Sequence, residues 1–231
     1  MALLTHRLPC GYALVYRDVS DPYIIAESGK RLPPYFRHGD ILPTDIIMDI
    51  GAQIGITALW AASLGRRVYA YEAEPANYAL LEQNTRAVTP ITIARGFVCG
   101  NTRSPGEDVP FYVARRNLSA HSAFIKRGRG RILVPAIPIG PLLNAQRPDV
   151  VKMDCEGAEY EILLDGLLDA AARISVITFE AHFGRPEWHE QYQRVRHALT
   201  AQGFTVQGKE RSSGWPVFCH ASRREGHDAS T

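Results

Sequence analysis

The stretch that most constrains this chain runs from Asp45 to Gly55. A compact apolar run, Asp45 to Ile50 (DIIMDI), passes directly into Gly51-Ala52-Gln53-Ile54-Gly55. The run predicts a strand, and the glycines let the backbone turn sharply and approach a ligand closely. A helix is expected over 57–64, with Gly65 placed to cap its C-terminus. Arg67 to Glu72 (RVYAYE) reads as the next strand. A helix over 75–85 follows, with Pro75 in the first turn and Tyr78 and Leu81 on one face. Ile91 to Cys99 is a third strand. Strand–helix–strand–helix–strand is the signature of a parallel sheet with right-handed crossovers.

Beyond residue 100 the pattern changes. Val109 to Ala114 and Arg131 to Ile139 read as extra strands around a polar loop, 115–130. Asp149 to Asp154 (DVVKMD) is the fourth main strand, with a helix over 157–165 ending at Gly166. Arg173 to Ala181 is the fifth strand. A helix over 186–202 places Trp188, Tyr192, Val195 and Leu199 on one stripe, with Gly203 as its stop. Phe204 to Gly208 and Trp215 to Ala221 read as a terminal β-hairpin. Residues 1–44, broken by Pro22, Pro33 and Pro34, read as a short-strand extension or lid, and 222–231 as a disordered tail.

Composition narrows the functional classes. The 231 residues suit one α/β domain with an extension, and 45% apolar content supplies one sizeable core. A net charge of +2 argues against a general affinity for nucleic acid or membrane. The basic run Lys126 to Arg131 reads first as a solvated loop, and otherwise as a patch for a phosphorylated acceptor or RNA. Cys10, Cys99, Cys155 and Cys219 are widely spaced and contain no C-x-x-C pair, which fits a reducing compartment. With no apolar run of about 20 residues and no signal-peptide pattern at the first residues, the expected location is the cytoplasm.

Three motifs carry chemistry. The first is Asp49-x-Gly51-Ala52-x-x-Gly55. It lacks the middle glycine of a dinucleotide fingerprint and has an acid just before the first, which suits a cationic nucleoside cofactor without pyrophosphate. The second is Glu72, 21 positions after Gly51, where an acid can accept both ribose hydroxyls. Glu74, two residues on, reads as the N-cap of the helix beginning at Pro75. The third is Lys152-Met153-Asp154-Cys155-Glu156-Gly157-Ala158-Glu159. In a doubly wound sheet its Asp154 and Glu156 face the same crevice as Gly51 and Glu72, while Glu159 in a first turn reads as structural.

The segments DIGAQIG, YEAEPANYALLEQN and VVKMDCEGAEYEIL resemble the three signature blocks of the FkbM methyltransferase family, over roughly residues 45–182. The resemblance implies a class I, Rossmann-like methyltransferase fold: a doubly wound, mostly parallel seven-stranded sheet with a terminal antiparallel hairpin. It divides the chain into an extension (1–44), a methyltransferase domain (45–221) with an inserted substrate-side segment (100–139), and the tail. It implies S-adenosyl-L-methionine as methyl donor, S-adenosyl-L-homocysteine as product, and O-methylation of a hydroxyl on a sugar or natural product. By carry-over Asp49, Gly51, Ala52 and Gly55 line the methionine end of the cofactor, Glu72 holds the ribose, and Asp154 and Glu156 lie near the transferred methyl. Asn101 is the adenine candidate. Ala73 and Cys155 depart from the family pattern without removing a polar role.

Methyl transfer from a sulfonium is an in-line displacement, and alignment does most of the work. An aliphatic hydroxyl also needs a base. His182, after the fifth strand, is the candidate, since an imidazole with an ordinary pKa near ~6.5 suits that task, oriented by Asp154 or Glu180. Asp154 is the rival base. His121 and Ser122, in the polar loop with Asn117 and Ser119, are candidates for acceptor recognition together with Glu180. No spacing motif demands a metal, and none is assigned, although Asp154, Glu180 and His182 suit a hard divalent ion if they converge. The expected partner is a small-molecule acceptor, and a homodimer is compatible with the sequence. The competing readings are an RNA or N-methyltransferase on the same fold, a non-catalytic cofactor-binding domain, and an NAD(P)-dependent oxidoreductase.

Overall fold

The computed structural model describes residues 2–18, 21, 25, 35–114, 121–124, 129–208 and 217–224. Most of the Tyr23 to Ala26 segment, Pro22, Pro33 and Pro34, Asn117, Ser119, residues 126–128 of the basic run and residues 225–231 of the tail lie outside the described residues.

An antiparallel hairpin, β1 (Leu3–Arg7) and β2 (Ala13–Arg17), opens the chain. Then come β3 (Ile46–Ile50), α1 (Ile56–Ala62), β4 (Arg67–Glu72), α2 (Pro75–Thr85) and β5 (Ile91–Arg95). After β6 (Phe97–Cys99), β7 (Asp108–Ala114) and β8 (Arg129–Pro138) come α3 (Ile139–Gln146), β9 (Val150–Met153) and the short α4 (Glu159–Ile162). The chain continues through β10 (Val176–Ala181), α5 (Pro186–Ala201), β11 (Thr205–Gln207) and β12 (Val217–Ser222).

The main sheet has seven strands in the order β11-β12-β10-β9-β3-β4-β5. The five strands from β10 to β5 pair in parallel, and β12 pairs antiparallel with both β10 and β11. Because β4 and β5 lie on one side of β3 and β9 and β10 on the other, the winding reverses between β3 and β9. That is the switch point where open α/β sheets hold ligands.

Strand alternation sorts the core into two faces. Ile47, Val68, Ala70, Val150 and Val176 pack with Trp60 and Leu81 from α1 and α2. Met48, Ile50, Tyr71, Val151, Met153, Ile177 and Phe179 pack with the α5 stripe of Trp188, Tyr192, Val195 and Leu199. Burying each such large apolar side chain contributes roughly 1.5–3 kcal/mol.

Most expected elements stand within three residues of their sequence-derived bounds, and three differ in kind. The third strand is two strands: it breaks at Gly96, where a side chain would meet Ile137, and β6 leaves to join β8 and β7 in a separate sheet. Helix α3 was not anticipated, because Gly140 and Pro141 in its opening residues mask its pattern. The helix expected over 157–165 is regular only to Ile162. It then loosens into a π-type turn, Leu163–Leu167, containing Gly166 at φ +143°.

The N-terminal hairpin is clamped to α2. Asn84 Oδ1 accepts the Val15 N–H at 2.7 Å, and its Nδ2 donates to the carbonyls of Val15 (3.0 Å) and Ile54 (2.8 Å). The buried Arg17 guanidinium pairs with Asp21 and donates to Asn77 Oδ1. Among the described residues, no helix is long and apolar enough to cross a membrane. Replacing Asn84 by alanine leaves buried backbone groups unpaired at about 1–3 kcal/mol each. N84A is expected to lower stability and to speed hydrogen exchange at the Val15 amide; unchanged protection at Val15 would show that the clamp is not what holds the hairpin.

Candidate active site

The β3–α1 turn is built around close backbone approach. Gly51 adopts φ +74°, and a Cβ there would sit 1.9 Å from the Asp154 carbonyl oxygen, so only glycine lets the two strand ends meet. The Gly51 and Ala52 N–H groups donate to the Tyr71 carbonyl at 3.0 and 2.9 Å. Gly55 N-caps α1 in the left-handed region at φ +99°. Gln53 is left-handed too (φ 52°), and its N–H donates to Glu72 Oε2 at 2.9 Å.

Glu72 therefore stands at the end of β4 beside the turn, as its spacing from Gly51 implied. Its Oε1 accepts the Glu74 N–H at 2.8 Å. Burial raises its pKa to about 7 despite those two donors. Glu74 is the N-cap of α2, accepting the Asn77 N–H at 2.6 Å.

Asp49 is placed differently from expectation. It is 0% exposed and lies behind the turn, opposite Lys152 in the β3–β9 register. Lys152 Nζ sits 3.0 Å from Asp49 Oδ1 and donates to the Gly51 carbonyl at 2.8 Å. Burial opposes the lysine's charge, but Asp49 and Asp154 outweigh it and hold its pKa above the usual value. Asp49 thus supports the turn from within. Sequence reasoning gave Lys152 no role, since a lysine in an apolar strand shows no partner until two strands are set side by side.

A second group forms at the ends of β9 and β10. Asp154 Oδ2 accepts the Tyr35 hydroxyl at 2.6 Å, and Glu180 Oε2 lies 3.4 Å from the same hydroxyl. Burial, with Asp154 and Glu180 nearby, raises the Tyr35 pKa well above its ordinary value and keeps it a neutral donor. Its ring lies 5.0 Å from Lys152 Nζ and meets Phe218 edge-on. Nothing in the sequence singled out Tyr35, which comes from the extension. Its neighbours hold it there: Phe36 stacks on Trp60, and Asp40 pairs with His220 at 2.8 Å. Burial, then Asp154, raises the Glu180 pKa to about 8.

His182 is nine-tenths buried at the end of β10. Its orienting partner is Glu159, not Asp154 or Glu180. Nδ1 is 2.8 Å from Glu159 Oε1, which also accepts the His182 N–H at 3.0 Å. Glu159 is fully buried in the first turn of α4, and its Oε2 accepts the Gly157 N–H. Burial lowers the imidazole's pKa, but Glu159, Glu156 and Asp154 more than reverse this and raise it to about 10. The expectation of an imidazole titrating near neutrality is corrected accordingly: carboxylates surround it, so with nothing else bound it carries a proton and is not a ready base.

Glu156 takes the left-handed region (φ 52°), a strained conformation for a side chain of its kind. Its Oε2 lies 3.8 Å from His182 Nε2, and its carbonyl accepts the Ser122 hydroxyl at 2.6 Å. Ser122 and His121 are both buried: His121 Nδ1 accepts the Ala114 N–H at 3.0 Å, and Ser122 forms an antiparallel bridge with Tyr112. They fasten the segment after β7 onto the Glu156 turn. Asn101 is held apart from this group. Its Oδ1 accepts the Gly140 N–H at 2.7 Å and its amide packs on Gly166, joining α3 to the turn after α4. The structure thus brings Gly51, Ala52, Glu72, Asp154, Glu156, Glu180 and His182 to the carboxyl ends of adjacent strands, with Ser122 bonded to the Glu156 carbonyl from outside the sheet.

A family model, the methyltransferase FkbM domain, matches residues 49–206. The chain belongs to the FkbM methyltransferase family. This FkbM-family domain is 27% identical over 143 residues to a hexuronic acid methyltransferase, AglP, of Haloferax volcanii; the match covers 61% of this chain and 57% of that one. Among solved structures it resembles a methyltransferase FkbM from Methylobacillus flagellatus, with TM-score 0.51 and 17% identity, over 89% of this chain and 49% of that chain. It also resembles an rRNA methylase from Streptococcus thermophilus, with TM-score 0.50 and 9% identity, over 80% of this chain and 90% of that one. The chain therefore spans about half the length of the first two relatives. The structural likenesses establish the class I methyltransferase fold, seven strands with a terminal antiparallel hairpin.

Removing Lys152 alone strands a buried carboxylate, which costs about 3–5 kcal/mol, whereas removing both charges is far milder. K152M is expected to be strongly destabilised and the D49N/K152M double variant to recover most of the loss in chemical denaturation. A double variant as unstable as K152M would show that the pair does not carry the turn.

Proposed function

We propose that this chain is an S-adenosyl-L-methionine-dependent O-methyltransferase acting on a hydroxyl of a sugar or natural-product small molecule. The observation that carries this reading is the convergence of the glycine turn at Gly51, Glu72 and Asp154 at the switch point of a class I methyltransferase sheet. Glu72 still has acceptor capacity on both oxygens beyond the Gln53 and Glu74 N–H groups, and so can take two vicinal ribose hydroxyls. The acids beyond Gly51 complement the donor's ammonium and sulfonium charges. Similarity to a hexuronic acid methyltransferase supports a sugar-like acceptor.

In the reaction the acceptor oxygen attacks the methyl carbon. The O–C bond forms as the C–S bond breaks, the sulfur keeps the electron pair, and S-adenosyl-L-homocysteine and a proton leave. The chain's contribution is alignment of acceptor, methyl and sulfur, together with the carboxylates of Asp154 and Glu180, which face the place where the hydroxyl proton is lost.

Calorimetric titration with S-adenosyl-L-homocysteine tests the reading. E72A is expected to weaken binding tenfold or more, about 1.4 kcal/mol. The ribose contact needs an ionised Glu72, and its pKa of about 7 lies above the ordinary 4.5. Affinity is therefore expected to rise about tenfold between pH 6 and pH 8 and to level off above, a dependence that E72A abolishes. Absence of binding by the wild-type chain at pH 8 to both the donor and its product would overturn the proposal.

A further inference from the structure

We propose that Asp154, Glu180 and His182 form a binding site for a hard divalent cation of the Mn²⁺ and Mg²⁺ class, on which the acceptor's oxygen is positioned. One ligand atom from each of the three lies within 4.8 Å of the others. Ligands at about 2.1 Å around an octahedral ion stand roughly 3–4 Å apart, so the set closes on an ion by small side-chain rotations.

The orientation of His182 points independently to a ligand. With Nδ1–H donated to the fully buried Glu159 at 2.8 Å, Nε2 is turned toward the carboxylates and can coordinate an ion that displaces its proton. Nε2 makes no hydrogen bond among the described residues; the acid oxygen paired with it, Glu156 Oε2, is 3.8 Å away. A buried imidazole thus has one nitrogen anchored at 2.8 Å and the other facing Glu156 at 3.8 Å, beyond hydrogen-bond length. A carboxylate holding one ring nitrogen so that the other can coordinate is the usual support of a metal-ligating histidine. Glu159 is itself fixed by the N–H groups of Gly157 and His182, so the ring's orientation is set by the fold.

The carboxylates tell the same story. Tyr35 has one hydroxyl proton for two acids, and it goes to Asp154 at 2.6 Å, leaving Glu180 at 3.4 Å. Two acids this close repel each other unless a proton or cation lies between them. Two carboxylate oxygens with one imidazole suit Mn²⁺, with Mg²⁺ a weaker competitor. Three protein ligands leave positions open for water and an acceptor oxygen. Coordination there acidifies the hydroxyl, whose proton passes to solvent as the oxygen attacks the methyl carbon. That use of the ion rests on the methyl-transfer reading, but the binding itself does not.

The experiment titrates Mn²⁺ into the full chain, with and without S-adenosyl-L-homocysteine, reading free Mn²⁺ by electron paramagnetic resonance. The expected result is one ion per chain, displaced by excess Mg²⁺, with affinity at least tenfold lower in E180Q and in H182Q. E159Q, which touches no ion, is expected to lose roughly tenfold through the freed imidazole. Thermal melts of each variant establish that it is folded. Failure of the wild type to bind Mn²⁺, or equal affinity in wild type, E180Q and H182Q, overturns the site. Variant-sensitive Mn²⁺ binding without any binding of the nucleoside supports the site and counts against the methyl-transfer reading alone.

Discussion

The Lys152–Asp49 ion pair is the interaction on which the rest of the site depends. It lies between neighbouring strands at the point where the winding reverses, with both partners almost wholly out of water. Burying two charges costs several kcal/mol, and such a pair persists only with good geometry and further hydrogen bonds. Here the further bond goes to the Gly51 carbonyl, which fixes the glycine turn against the Asp154 backbone. One ammonium group thus aligns the floor of the crevice and adds positive charge beneath a region otherwise dominated by carboxylates.

Those carboxylates fall into three environments. Glu159 is fully buried and satisfied by backbone N–H groups and the imidazole, so it acts on the site only through His182. Glu72 is buried at the far side, and its charge is opposed by desolvation. Asp154, Glu156 and Glu180 face one another and the imidazole across the strand ends. Such concentrated negative charge suits a cationic donor or a divalent ion and disfavours a bare anionic acceptor. Tyr35 closes this group from the extension, so the N-terminal segment contributes to the site's chemistry as well as to the fold's edge.

Much of the architecture was legible because its signals are local. Trp188, Tyr192, Val195 and Leu199 repeat at helical spacing, and that stripe is the buried face of α5. Glu74 before Pro75 is a cap that can be read within four residues. Helix α3 was hidden because Gly140 and Pro141 are breakers by propensity, although a first turn tolerates them. The break at Gly96 was hidden because its cause, the Ile137 side chain, is 41 residues away.

The sequence by itself determined the strand and helix order, the glycine turn, and the presence of acids at three strand ends, since these follow from periodicity, turn chemistry and short spacing. Only the tertiary structure decided what each polar group does. It turned Asp49 inward onto Lys152, gave His182 to Glu159, fastened Ser122 to the Glu156 carbonyl, and brought Tyr35 onto Asp154. Each of these pairs joins residues distant in sequence, or from separate elements, and its energy depends on distance and burial, which no local pattern encodes.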